Sequence, residues 1–173
     1  GEVYSFGDNY YGQLGLGNHD SFNIPQKIET LNDIDFIECG GASVLCKSEG
    51  KYIYGWGRND GRLGNGDLDD KNHPTLLDWP QDIIDIKCGY AHTLVLTTQN
   101  EVFSCGSNNA GQLGRETVND LNSQASKSKL IKISALSDIR IIGCGYDHSM
   151  CIDNENNFFV FGSNSYGQLG LGD

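Results

Sequence analysis

Residues Phe6–Gly17 read Phe-Gly-Asp-Asn-Tyr-Tyr-Gly-Gln-Leu-Gly-Leu-Gly, and variants of this turn return at Trp56–Gly66, Cys105–Gly114 and Phe161–Gly172. Four copies of one glycine-rich turn constrain what the chain can fold into more than any other feature. Gly12 to Gly61 is 49 residues, Gly61 to Gly111 is 50, and Gly111 to Gly167 is 56. A unit of this length that cannot bury its own apolar face must stack on its neighbours. Gly12, Gly15, Gly61, Gly64, Gly111, Gly114, Gly167 and Gly170 supply tight backbone passage and room for positive φ. Leu14, Leu63, Leu113 and Leu169, each between two of these glycines, read as plugs turned inward over the end of a sheet. Gln13 is expected to hydrogen-bond the neighbouring turn.

Between the turns lie short apolar runs bounded by turn residues, which is the pattern of strands. Ile34–Cys39, Ser43–Lys47 and Tyr52–Trp56 have counterparts in Ile83–Cys88, His92–Thr97 and Val102–Cys105, and again in Arg140–Cys144, His148–Ile152 and Phe158–Phe161. A further run, Pro25–Ile28, returns as Pro74–Leu77 and Leu130–Ile133. Proline there suits an outer edge strand, where its missing N–H costs little. Cys39 to Gly57, Cys88 to Gly106 and Cys144 to Gly162 are all 18 residues, so this part of the unit is geometrically fixed. The longer third interval is taken up by residues 117–129, a polar stretch that reads as an insertion in a surface loop. The chain thus reads as an all-β partial propeller of four-stranded blades, about three blades plus one extra strand, in one domain over residues 1–173.

Composition excludes several classes. The net charge of −11 opposes general binding to a phosphate backbone. No run of about 18 apolar residues spans a membrane, and no basic-then-apolar leader opens this sequence. An intracellular setting, cytoplasm or nucleus, is the expectation. Six cysteines lack Cys-X-X-Cys spacing. Cys39, Cys88 and Cys144 share one repeat position, and Cys46, Val95 and Cys151 share another. A position that accepts Cys or Val is apolar core, so these read as buried structural thiols.

No constellation supports catalysis, a metal or a cofactor. His92 and His148 are equivalent, and a catalytic residue is normally singular; repeated histidines before Thr93 and Ser149 read as turn hydrogen-bonders. Asp67, Asp69 and Asp70 form an acidic turn. Counted from Asp67, the sixth position of a calcium loop is Asn72 rather than Gly, and the twelfth is Asp78 rather than Glu. The glycine turns lack the Gly-Lys-Ser/Thr of a phosphate loop.

The turn consensus Phe-Gly-X-Asn-X-X-Gly-Gln-Leu-Gly-X-Gly, with Cys88-Gly89-Tyr90-Ala91-His92-Thr93 and Cys144-Gly145-Tyr146-Asp147-His148-Ser149 upstream, resembles the repeats of the regulator of chromosome condensation family. The likeness covers the whole chain. Its departures are Ser43 where the motif has His, a second turn one residue shorter with Arg62 in place of Gln, and a third turn ending Gly114-Arg115-Glu116. The resemblance implies blades of a seven-bladed ring, completed here by a longer parent chain or by association. It also implies a protein-interaction scaffold acting as a regulatory module. The alternative it implies is guanine-nucleotide exchange on a small Ran-like GTPase, which works by binding and not by covalent chemistry. Arg58, Arg62, Asp67, Asp69 and Asp70 are the candidate interaction rim, and the acidic loops Asp67–Asp70 and Asp33–Glu38 suit a partner with a basic face.

Overall fold

In a computed structural model, residues 1–116 and 127–172 are described. Most of the expected insertion, residues 117–126, lies outside them. The chain forms strands β1 (Tyr4–Gly7), β2 (Phe22–Lys27), β3 (Ile34–Cys39), β4 (Ser43–Ser48), β5 (Tyr52–Gly57), β6 (Lys71–Leu76), β7 (Ile83–Cys88), β8 (His92–Thr97), β9 (Val102–Gly106), β10 (Ile131–Lys132), β11 (Ile139–Cys144), β12 (His148–Asp153) and β13 (Phe158–Gly162). Thirteen strands among the described residues equal three sets of four plus one. Hydrogen bonding groups them out of phase with the sequence repeat. Two full sheets, β3-β4-β5-β6 and β7-β8-β9-β10, are flanked by the pair β1-β2 and the three-stranded β11-β12-β13.

The pairing is antiparallel throughout. Each inner strand carries a register shift at one place, Ile34/Phe36, Ile83/Asp85 and Ile139/Ile141. The irregularity recurs at one repeat position, and a bulge there bends the three strands alike. Pro74 lies in β6, the outer edge of its sheet, and Pro25 in β2, which pairs on one side with β1. The missing donors therefore face no ladder.

The core is three apolar layers, one between each pair of neighbouring sheets. Val3, Ile28, Leu31, Cys46 and Trp56 form the first. Leu45, Leu63, Trp79, Ile83, Ile86 and Val95 are among the second. Leu94, Leu96, Ile133, Ile139, Ile142 and Cys151 are among the third. Strand β8 shows why its sequence is apolar on both faces. Val95 enters the second layer, Leu94 and Leu96 the third, and all six residues are buried. Strand β12 covers one face only. Ser149, Cys151 and Asp153 are buried, while Met150 is exposed. The outer faces of the end sheets accordingly carry exposed apolar side chains, with Phe6 63% and Phe158 71% accessible.

The thiols follow the same logic. All six are free, and Cys46, Cys105 and Cys151 are buried. Burial pushes each of these three up to about 12. Cys39 is exposed, contrary to expectation. Its equivalents point back at the preceding inner strand: Cys88 lies against Gly40, and Cys144 Sγ donates to Lys87 O at 3.4 Å. The β1-β2 pair before β3 contains no inner strand, so Cys39 has nothing to lie against. No helix among the described residues is long and apolar enough to cross a membrane.

Candidate protein-interaction face

The β3–β4 loop and the turn after β5 lie at one end of their sheet, joined by Arg58 N–H donating to Ala42 O at 2.9 Å. Ser107 to Ala91 O and Ser163 to Asp147 O, each at 2.8 Å, repeat that bond in the next two sheets. All the glycine turns and inner loops therefore share one face of the molecule.

Each turn is tied by an asparagine that sequence reasoning did not single out. Asn9, Asn108 and Asn164 each accept the N–H of the plug leucine on Oδ1 at 2.9 Å. Asn59 accepts from Leu63 at 3.3 Å and donates Nδ2 to Asn65 and Asp67. The signal was available, since an Asn stands two residues after the strand-ending glycine in every copy. Its amide both accepts and donates, which a tight turn with unpaired backbone groups requires.

The plugs Leu14, Leu63 and Leu113 are buried, and Leu169 is half-buried, with no further sheet over it among the described residues. The glycine after each plug meets the following sheet. A Cβ at Gly15 would stand 2.7 Å from the Trp56 indole, one at Gly64 2.9 Å from Cys105 Sγ, and one at Gly114 2.7 Å from the Phe161 ring. At Gly170 nothing lies within 4 Å. Close approach between blades, together with φ near +60 to +71° at these positions, excludes larger residues. Gly12, Gly61, Gly111 and Gly167 also have positive φ.

One polar bond recurs at an equivalent place in two of the junctions. Thr93 Oγ1 donates to Arg62 O and Ser149 Oγ to Gln112 O, each at 2.8 Å. The equivalent Val44 has no hydroxyl, and Trp56 Nε1 donates to Gln13 O at 3.0 Å instead. The Gln13 side chain itself closes its own turn, accepting from Tyr11 N–H and donating to Asp8, rather than reaching the neighbouring turn.

His92 Nε2 lies 2.9 Å from Ser149 Oγ. Because that hydroxyl donates to Gln112 O, it accepts from His92, which fixes the proton on Nε2. Burial, with His148 and Arg62 nearby, lowers the His92 pKa to about 4. This is a neutral structural histidine, bonded across the junction. Among the described residues, no partner reaches the buried Nδ1 of His92 or of His148. The imidazoles also explain the preceding glycines. A Cβ at Gly89 would stand 2.2 Å from His92 Cε1, and one at Gly145 1.9 Å from His148 Cε1. The ring occupies the space that a side chain there would need.

The rim candidates separate into two groups. Arg62 is buried. Its Nε and Nη2 donate to Asp60 at 2.7 Å, and its Nη1 donates to Tyr90 O at 2.6 Å. Burial works to raise the Asp60 pKa, but the hydrogen bonds and charge of Arg62 outweigh it and hold the carboxyl below its ordinary value. Asp67 braces its turn, accepting from Asn59 and from Lys71 Nζ at 3.0 Å. Asp70 accepts from Asn59 N–H at 2.7 Å while remaining exposed. Asp69 is exposed, and Arg58 lies 4.9 Å over the Tyr11 ring. Arg58, Asp60, Leu68, Asp70, Ser107 and Lys127 line a cavity of about 350 Å³ between two neighbouring turns. Nearer the arc's centre, Tyr90 and Tyr146 stack with centroids 4.2 Å apart. Among the described residues, no group of three or more His, Cys, Asp or Glu could hold a metal ion.

Comparison with known proteins agrees with this geometry. The profile of the regulator of chromosome condensation (RCC1) repeat matches residues 1–46, 52–96 and 99–152. The probable E3 ubiquitin-protein ligase HERC6 of Homo sapiens is 33% identical over 179 residues, covering 98% of this chain and 17% of that protein. Yeast RCC1 (Prp20), solved bound to Kap60, superposes with a TM-score of 0.87 at 20% identity over 99% of this chain and 42% of its own. A second structure of Prp20p from Saccharomyces cerevisiae, described with its binding properties to Gsp1p and histones, gives 0.84 at 22% identity, covering 100% of this chain and 44% of that one. Human WBSCR16 gives 0.80 at 27% identity over 100% of this chain and 46% of its own. The solved likenesses to Prp20 establish fold. The chain spans less than half the length of each of these proteins. The chain belongs to the regulator of chromosome condensation (RCC1) repeat family.

Proposed function

We propose that this chain is a protein-interaction module, one repeat domain over residues 1–173, which binds a basic-faced partner through the face formed by its glycine turns. The observation that carries this reading is the division of labour on that face. Asn9, Asn59, Asn108 and Arg62 lock the loops from below, while half-buried Arg58 and exposed Asp69 and Asp70 stand on these supports. Loops held this way present side chains from several blades at fixed separations. The module acts within a larger protein or assembly whose further blades, from the parent chain or an associated one, cover the apolar end sheets. It works inside the cell, in cytoplasm or nucleus, without covalent chemistry.

A second reading is guanine-nucleotide exchange on a small Ran-like GTPase. The fold likeness to yeast RCC1 favours it, and Prp20p has been studied for its binding to Gsp1p. Exchange would proceed by holding the nucleotide-free GTPase. One experiment separates the two: release of a fluorescent guanine nucleotide from a purified Ran-type GTPase, with and without the chain, alongside direct binding to the same GTPase. Accelerated release that Arg58→Ala with Asp69→Lys abolishes supports exchange. Binding lost in that variant without any acceleration supports the scaffold. Binding untouched by the variant, in a chain that retains its fold, rejects this face.

A further inference from the structure

Tyr90 and Tyr146 occupy the same repeat position at the mouth of a cleft where three inner strands converge, stacked at 4.2 Å and 14°. They are 40% and 63% exposed. Their surroundings differ in the charged groups on the turn before and on the loop itself. Arg62, from the turn before, bonds to Tyr90 O and places its guanidinium 5.9 Å from the Tyr90 centroid, with Asp60 as counter-charge. Guanidinium, tyrosine face and carboxylate make one unit. The position equivalent to Arg62 before Tyr146 is Gln112, which is neutral and donates Nε2 to Asp147 Oδ1 at 3.1 Å. Among the described residues, no Lys or Arg stands over Tyr146. The ring is present beside a carboxylate, here Asp147 of its own loop where Tyr90 is followed by Ala91 and relies on Asp60 of the turn, and the cation is missing.

The local field favours a cation from outside. None of the residues lining this cleft of about 290 Å³ is Lys or Arg. The two nearby cations are neutralised in place, Arg62 by Asp60 at 2.7 Å and Lys87 by Asp85 at 3.0 Å. Glu38 reaches the cleft, its Oε1 3.4 Å from Cys88 N. The chain as a whole carries −11.

We propose that Tyr146 and Asp147 form a subsite for an arginine side chain of a basic partner protein. The incoming guanidinium supplies at Tyr146 what Arg62 supplies at Tyr90. It lies flat on the ring and shares the Asp147 carboxylate with Gln112. A planar guanidinium can stack and hydrogen-bond at once, which a lysine ammonium cannot do as well. This inference rests on the reading of the glycine-turn face as protein-binding and names the chemistry of the partner.

The test titrates an acetylated and amidated Gly-Ser peptide carrying two arginines into the isotope-labelled 173-residue chain, followed by amide NMR shifts. Saturable shifts centred on Tyr146 and Asp147 are expected, with no such shifts from the matched citrulline peptide and weaker binding by the lysine peptide. Tyr146→Ala and Asp147→Asn should each weaken binding about threefold or more, whereas Tyr146→Phe retains it. Gln112→Arg, which supplies an internal guanidinium, should weaken it likewise while the amide spectrum reports an intact fold. The proposal is overturned by no saturable shift, by equal binding of the citrulline peptide, or by undiminished binding in Tyr146→Ala. The peptide reads this subsite alone, and the Arg58 and Asp69 variants read the wider face. Loss of a protein partner in those variants, with Tyr146 unmoved by peptide, removes the subsite and leaves the face standing.

Discussion

Gly89→Ala and Gly145→Ala place the same methyl group at equivalent positions, and the structure assigns them different costs. Neither glycine has a positive φ, so alanine is not strained by its own backbone. At Gly89 the new Cβ would lie 2.2 Å from His92 Cε1, 2.4 Å from Nδ1 and 2.8 Å from Gly145 O. His92 is 1% exposed and bonded to Ser149 across a sheet junction, so its ring has nowhere to go. Overpacking a filled site costs about 1–3 kcal/mol, and losing the imidazole bond adds about 1. Gly89→Ala should therefore destabilise by about 2–4 kcal/mol. At Gly145 the clash is nominally tighter, 1.9 Å from His148 Cε1, and the three nearest atoms all belong to that ring. His148 is only half-buried, with no sheet beyond it, so the ring can swing aside. The expected cost is below about 1 kcal/mol, since the alanine also restricts the unfolded chain. Urea unfolding of both variants measures the difference. A third variant fixes the cause. His92→Ser copies the first repeat, where Ser43 faces Gly40, and in the Gly89→Ala background it should recover a coupling of about 1 kcal/mol or more. Equal costs at the two glycines, or no coupling, would refute the argument that the imidazole is what requires glycine.

Two further outcomes follow from the same architecture. Leu113→Ala should cost about 2–5 kcal/mol by emptying a closed site, while Leu169→Ala, half-exposed at the open end, should cost under about 1, both read by urea or thermal unfolding. The His92 pKa of about 4 in the fold lies below 6.5, its ordinary value, so the unfolded chain takes up the proton first as pH falls. The stability from the neutral ring is complete above pH 6.5 and is lost between there and about pH 4. Urea midpoints through that window should fall, and the slope should be smaller in His92→Gln; an unchanged slope would contradict the assignment.

The repeat made much of the fold legible. Fixed spacing from Cys39 to Gly57 and its copies marks the two strands that follow the inner one in three of the sheets, and Leu14, Leu63 and Leu113 lie buried between their flanking glycines. The phase of the blades was not legible. The proline strand precedes the inner strand in sequence, yet β2 pairs with β1 and β6 with β5, so each outer strand completes the blade before it. Sequence order cannot show this, because hydrogen bonding follows spatial adjacency across a turn.

Individual side chains were legible only where one position does one job in every copy. Asn9, Asn59, Asn108 and Asn164 repeat, and each ties its turn. Arg62 stands among the expected rim residues, yet it is buried, because Asp60 and the Tyr90 carbonyl, brought together by two adjacent sheets, take its guanidinium. Cys39 and Cys88 are the same letter in the same motif, and they differ in exposure because only one has an inner strand to lie against. The sequence by itself determined the repeating unit, since turn geometry and strand periodicity depend on near neighbours along the chain. Tertiary structure alone decided which copies of that unit are covered and which side chains reach the surface, because burial and ion pairing are set by what the next sheet places opposite.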